Sequence, residues 1–362
     1  MSTVHVIAMD THSQTTDLCV KTRVDGPCRR WHVRTGIPEI AAVLEQIRGP
    51  RELVLEEGPL AGWLLRNLRG YVDKAVACDP RKNALVAGGG GADKDDATDA
   101  QKLCDLYLGG YTKAVHHAED FRREVAKQAV GLYHERVVNR VRCANKVMGL
   151  CKRQGLIVRE KDFAEKGRRE ALLGGLAAGD EAWRQVAGHI GLLLRSYDEA
   201  CREEALMHRE IVKLGQQTEV VVRWQAVPGI GWIRGMTLWA YLDTPWRFPS
   251  RQALWKYLGI GLVREQSGEG RAWVHVPRGC NRLLKATIVG AAETVIRTRA
   301  GAFYRRYESW EQAGLSFKNA RRNVARDIAQ TVWSMWKNGR EFDERLIGGA
   351  SACASDAGGH GF

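Results

Sequence analysis

Nowhere in the 362 residues does an apolar run reach the ~18 residues that a bilayer crossing needs, so no membrane-spanning helix and no membrane partner are expected. Acidic and polar residues follow Met9 at once, so no secretory leader is expected and a cytoplasmic location is the default. The nine cysteines are odd in number and never form a C-x-x-C pair. That argues against a disulfide framework and against a thiolate zinc site, and the cysteines read as reduced, mostly buried small hydrophobes. Histidine is scattered. The adjacent pair His116-His117 has no Cys or acid at ligand spacing, so it reads as a solvated loop rather than a metal site.

What the chain has is positive charge, unevenly placed. Between Arg223 and Arg340 stand 20 Lys and Arg against 7 Asp and Glu, an excess of 13 that equals the formal net charge of the whole protein. The same stretch holds nine of the 12 Trp. Basic residues neutralise phosphates and aromatic faces stack on unpaired bases, so this third of the chain favours nucleic acid, although several of the Trp must be core.

Residues 1–112 read as alternating strands and helices. Val4–Asp10, Thr16–Val24 and Cys28–Arg34 read as strands, with turn chemistry at Asp25-Gly26-Pro27. Ile40–Ile47 has helical spacing, Glu52–Glu57 is a strand, Leu60–Leu68 a helix and Asp73–Cys78 a strand, and a helix begins at about Asp96. Three strands joined by tight turns predict an antiparallel meander, and the following β-α-β connections predict parallel strands beside it. That is the ribonuclease H-like order.

Residues 113–222 predict a helical hairpin, or coiled-coil arm. It has long helices over Phe121–Gln154 and Trp183–Val222, joined by 28 mostly polar or small residues. Such an arm buries little alone. It is expected to pack on a partner subunit or on RNA, through Arg136 and Arg140 among others, or to act as a spacer. Residues 223–340 predict a mostly helical basic domain, with helices at Arg234–Leu242, Arg251–Leu258, Asn281–Arg299 and Ala320–Trp336. The turn Val227-Pro228-Gly229-Ile230-Gly231 resembles the hairpin of helix-hairpin-helix DNA-binding modules. Its Gly229 and Gly231 would let backbone N–H groups approach a phosphate. Residues 341–362 are small and Gly-rich, and disorder is expected there.

The chemistry centres on four acids. Asp10 ends the first apolar strand, Glu56 ends Leu53-Val54-Leu55, and Asp96 and Asp99 lie three apart at a helix start. Magnesium or manganese takes oxygen ligands, and two such ions about 4 Å apart suit phosphodiester chemistry. Glu57 competes with Glu56, and Asp93 and Asp95 compete with Asp96. Sheet alternation sends only one of Glu56 and Glu57 to the face of Asp10.

Over residues 3–340 the chain resembles the bridge-RNA-guided insertion-sequence transposases, the DEDD recombinase family that includes the Piv DNA invertase. The resemblance rests on Ala8-Met9-Asp10-Thr11-His12, Leu55-Glu56-Glu57-Gly58 and Lys94-Asp95-Asp96-Ala97-Thr98-Asp99-Ala100. In the basic domain it rests on Val227-Pro228-Gly229-Ile230-Gly231, Tyr257-Leu258-Gly259-Ile260-Gly261, Gln266-Ser267-Gly268 and Arg278-Gly279-Cys280-Asn281-Arg282. Gly58 comes one position early for the family's E-x-x-G block, and Val263 replaces a usual proline. The resemblance implies a RuvC-like domain whose Asp10, Glu56, Asp96 and Asp99 hold Mg2+ (or Mn2+), in all two ions. It also implies a serine nucleophile at Ser267, donor and target DNA as substrates, a structured guide RNA, and a homodimer or homotetramer. The flanking Arg264 and Arg271, with Arg278, Asn281 and Arg282, are further candidates for nucleic-acid contact. The alternatives are a junction-resolvase-like nuclease that uses only the four acids and a non-catalytic nucleic-acid scaffold.

Overall fold

In the computed structural model, the described residues are 3–81, 96–117, 120–265, 273–276, 279–299 and 301–347. They divide into two compact units, Met1–Glu119 and Asp120–Phe362. Among them, no helix is long and apolar enough to cross a membrane. Of the tail expected to be disordered, residues 348–362 lie outside the described residues, whereas Glu344–Leu346 form a 3-10 turn capped by Asp343.

The first unit is a six-stranded sheet. Its strands are β1 (His5–Thr11), β2 (Thr15–Lys21), β3 (Arg29–Arg34), β4 (Arg51–Glu56), β5 (Lys74–Cys78) and β6 (Ala114–Val115), in the order β3-β2-β1-β4-β5-β6. The first three form the predicted antiparallel meander, and β4 and β5 run parallel to β1. The two-residue β6, too short to leave a sequence pattern, closes the far edge antiparallel to β5.

Both faces of the sheet are covered, which is why its central strands read as continuous apolar runs. Ile7, Met9, Leu18, Leu53 and Leu55 point to one side and pack on α1 (Ile37–Glu45) and α2 (Ala61–Leu68). Val6, Ala8, Cys19, Val54 and Cys78 point to the other and meet Ala100, Leu103 and Cys104 of α3 (Asp96–Leu108). Lys21, 4% exposed, is held in that layer by an ion pair to Asp105 of α3. Cys19 and Cys28 face each other with Cα atoms 6.1 Å apart, brought together by the β2–β3 turn. The other six described cysteines are free.

Among the described residues, the second unit is helical apart from one hairpin. Its two long helices are α4 (Phe121–Arg153) and α7 (Glu181–Gln216). Asp120 and Asp180 cap their N-termini by accepting from Arg122 N and Trp183 N. At 33 residues α4 is about 50 Å long. The connection of mostly polar or small residues contains α5 (Lys161–Ala164) and α6 (Lys166–Ala177). They fold back because Phe163 is fully buried, edge-on to Tyr197 at 5.3 Å, and because Arg169 grips Asp198 with two hydrogen bonds of 2.7 Å. The second long helix also stops earlier than predicted. Thr218 turns extended, its Oγ1 donates to Leu214 O, and α8 (Glu219–Trp224) starts anew.

The remaining helices are α9 (Trp232–Leu242), α10 (Arg251–Tyr257), α11 (Arg282–Thr298), α12 (Gly301–Gln312) and α13 (Phe317–Asn338). Between α10 and α11, β7 (Val263–Glu265) pairs antiparallel with β8 (Trp273–His275). One core joins Trp224, Leu238, Leu254, Ile288, Phe303 and Ile328 to Ala126, Ala129 and Val130 from the start of α4. The arm therefore shares a core with the basic helices. At that root Arg123 lies 3.4 Å over the Trp239 ring and donates to Trp239 O, and burial lowers its pKa to about 10.

Candidate functional site

Strand register decides what faces what in the first unit. Met9 is level with Leu55 on the parallel strand β4, so the next residues, Asp10 and Glu56, end side by side on one face. Glu57 takes the opposite parity, and its carboxylate meets His117 Nε2. Register also adds two residues that the sequence did not single out. Asp17 lies directly across from Asp10 on β2, and His32 lies across from Asp17 on β3. Asp17 is 7% exposed, and His32 Nδ1 stands 3.0 and 3.1 Å from its two oxygens. Cys78, level with Glu56 on β5, completes a row across five strands. Its thiol pKa is raised, first by burial and then by the Glu56 charge. An acid in the otherwise apolar stretch Leu18-Cys19-Val20 and its neighbours was the available signal for Asp17.

The first turn of α3 comes to the same level. Cys104 Sγ contacts Val6 O at 3.6 Å, Asp105 pairs with Lys21 at the level of Val6, and Gln101 accepts from Arg30 at the level of Ala8, so α3 runs antiparallel to β1 and β4. Eight residues back along a helix is about 12 Å and four residues along a strand is about 13 Å. The first turn of α3, from Asp96 to Asp99, therefore lies at about the level of Asp10 and Glu56. The Asp99 side chain pairs with Lys102 at 2.9 Å, and Asp10 Oδ2 lies 3.4 Å from His12 Nε2. The Asp96 side chain, and Asp93 and Asp95, lie outside the described residues. Among the described residues, no three His, Cys, Asp or Glu converge closely enough to hold a metal ion. The candidate ligands Asp10, Glu56 and Asp99 offer carboxylate oxygens, which fit a hard divalent cation by type.

The basic-domain candidates have varied surroundings. Gly229 has φ +85°, and a Cβ there would lie 2.5 Å from Ala291 O, so its missing side chain lets the turn sit against α11. Gly231 precedes α9 with open space where a Cβ would go. Asn281 caps α11 by accepting from Leu284 N at 3.1 Å, while Arg282 is exposed. Arg136 pairs with Glu203, and Arg140 with Glu204 and Glu160, so both guanidinium groups tie the arm together. Ser267, Arg271 and Arg278 lie outside the described residues, as does the side chain of Arg264. Most described Trp lie in or against a core: Trp224 is fully buried and donates to Val332 O at 3.0 Å. Trp246, at 69% exposed, is the large exception.

Residues 223–308 match the model of the family described as Transposase IS116/IS110/IS902 family. The match supports an insertion-sequence transposase. It runs from the end of α8 into α12 and includes Gly229, Gly231, Ser267, Asn281 and Arg282. No curated protein matches the chain. A transposase of this family acts on DNA, so the excess of 13 positive charges between Arg223 and Arg340 overlaps the matched stretch with chemical sense.

Proposed function

We propose that the protein is an RNA-guided DNA recombinase that cuts and rejoins strands with two groups of residues. One is a RuvC-like acidic site made of Asp10, Glu56, Asp96 and Asp99, and the other is a nucleophilic Ser267. The observation that carries the reading is the level arrangement of Asp10 and Glu56 with the first turn of α3, in a chain whose basic region matches a transposase family. Two bound Mg2+ or Mn2+ ions would supply charge stabilisation at the reacting phosphate. Ser267 Oγ would form the phosphoester to one DNA end, and the displaced strand oxygen would leave as a hydroxyl. RNA guidance and assembly into a homodimer or homotetramer rest on the family resemblance. Glu56 is preferred to Glu57 because it shares the face of Asp10.

The test is a denaturing gel of the full chain incubated with Mg2+, copurified RNA and donor DNA. The expected result is a protein–DNA adduct that vanishes in Ser267→Ala. If Ser267→Ala still cuts and releases free ends, the protein is a metal-dependent nuclease of the junction-resolvase kind. If Asp10→Asn leaves strand exchange intact, the acidic site has no catalytic part.

A further inference from the structure

Beside the β7–β8 hairpin lies a groove of about 540 Å3, a size ordinary for a ligand cleft. Four cations line it: Lys285 from α11, and Lys318, Arg321 and Arg322 from α13. No carboxylate stands among the described lining residues, although the chain carries 42 Asp and Glu. Arg321 reaches out to Glu293. Arg322 instead contacts the neutral amide oxygen of Asn319, at 3.1 Å. The Arg322 pKa is lowered, first by burial and then by the adjacent Arg321 charge. Arg326, one turn on, is lowered by burial and then by Arg322. Like charges one turn apart on a helix repel; Glu293 answers Arg321 and Asp327 partly offsets Arg326, which leaves Arg322 with a neutral amide as its described partner.

The fourth cation is positioned by a glycine. A Cβ on Gly259, whose φ is +68°, would lie 2.5 Å from Cys280 Sγ and 3.1 Å from Lys285 Cδ. The bare backbone at 259 thus leaves room for the Lys285 stem along the groove. Lys318, Arg321 and Arg322 lie beyond residue 308, so the family match does not account for them.

We propose that this groove binds the phosphodiester backbone of a nucleic-acid strand, with Lys285, Lys318 and Arg322 each facing a phosphate. A phosphodiester fits because it offers one charge per residue at short, regular spacing and needs no carboxylate or apolar lid to receive it. The inference rests on the recombinase reading only in naming nucleic acid as the ligand class.

The experiment is fluorescence anisotropy of the full chain with a labelled random-sequence DNA duplex and, separately, a labelled RNA hairpin, from 50 to 200 mM KCl. For Lys318→Ala/Arg322→Ala, the slope of log K against log [salt] is expected to shrink by about 2 with the strand that occupies the groove. Lys318→Arg/Arg322→Lys is expected to restore it. Loss with DNA alone, RNA alone or both identifies the occupant. Arg345→Ala, at an exposed residue paired with Asp343, is the control for net charge. An unchanged slope with both nucleic acids overturns the proposal, and so does an equal loss in Arg345→Ala. Circular dichroism melting shows that the variants are folded. Adduct formation at Ser267, measured on the same preparations, reports separately on the recombinase reading. An adduct with unchanged slopes sinks the groove alone, and altered slopes with no wild-type adduct sink the recombinase alone.

Discussion

Gly229→Ala separates a packing role for the Pro-Gly-Ile-Gly turn from a phosphate-binding one. The residue has φ +85°, where a side chain costs about 1–2 kcal/mol. Its new Cβ would sit 2.5 Å from Ala291 O and 3.1 Å from Ala291 C, both backbone atoms of a buried helix turn that cannot rotate away. Overpacking of this kind costs about 1–3 kcal/mol. Together the two effects come to about 2–5 kcal/mol, or a fall in melting temperature of about 5–15 °C for a unit of this size. The assay is thermal unfolding followed by tryptophan fluorescence, which reports the second unit because ten of the 12 Trp lie there. Gly231→Ala is the internal comparison, since nothing lies within 4 Å of its Cβ position and its φ is −100°. It is expected to melt within about 1 °C of the parent, as surface changes do. If Gly229→Ala melts as the parent does, the contact with Ala291 does not hold the turn and the reasoning is wrong.

Asp105→Ala leaves the Lys21 ammonium buried without its carboxylate and is expected to cost about 3–5 kcal/mol in urea titrations, whereas Lys21→Met/Asp105→Leu recovers most of it. Burial raises the Cys104 thiol to about 12 from 9.0. The folded state therefore keeps a proton that the unfolded chain releases, and the stabilisation is full below pH 9 and declines from there towards pH 12. Cys104→Ala should flatten that decline in denaturation curves taken between pH 8 and 10.5. Glu56→Gln should cut strand cleavage by at least about a hundredfold while Glu57→Gln, on the opposite parity, stays within about threefold; equal losses would mean that sheet face does not select the ligand.

The sheet was largely legible because covering it on both faces forces long apolar stretches such as Val4–Met9 and Leu53–Leu55, while polar turns mark where each ends. Two acids at the ends of such stretches could be noticed without knowing which strands pair. Asp17 left a signal as an acid in an apolar stretch, but only register shows that it and His32 continue the row begun by Glu56 and Asp10. In the second unit, apolar spacing ran on through Val221 and Trp224, so the stop at Thr218 was hidden. It is set by one hydroxyl bonding back to Leu214 O. Helix α12 was missed because its buried side is narrow: Ala302, Phe303 and Tyr307 amid charged residues. Helices α5 and α6 were missed for a similar reason. Their glycines and charges hide the few side chains that fix them, Phe163, Arg169 and Leu176.

The root of the arm has a mechanical consequence. Ala126, Ala129 and Val130 belong to the core that holds α9, and Arg123 is clamped on Trp239 of that helix, so α4 is fixed where it leaves the basic helices. A partner that pulls on the far end of this rod, about 50 Å away, would load α9, the helix that follows the Gly229 turn. The arm is thus a lever, and whatever grips its tip can bias the geometry of the matched transposase region without touching it.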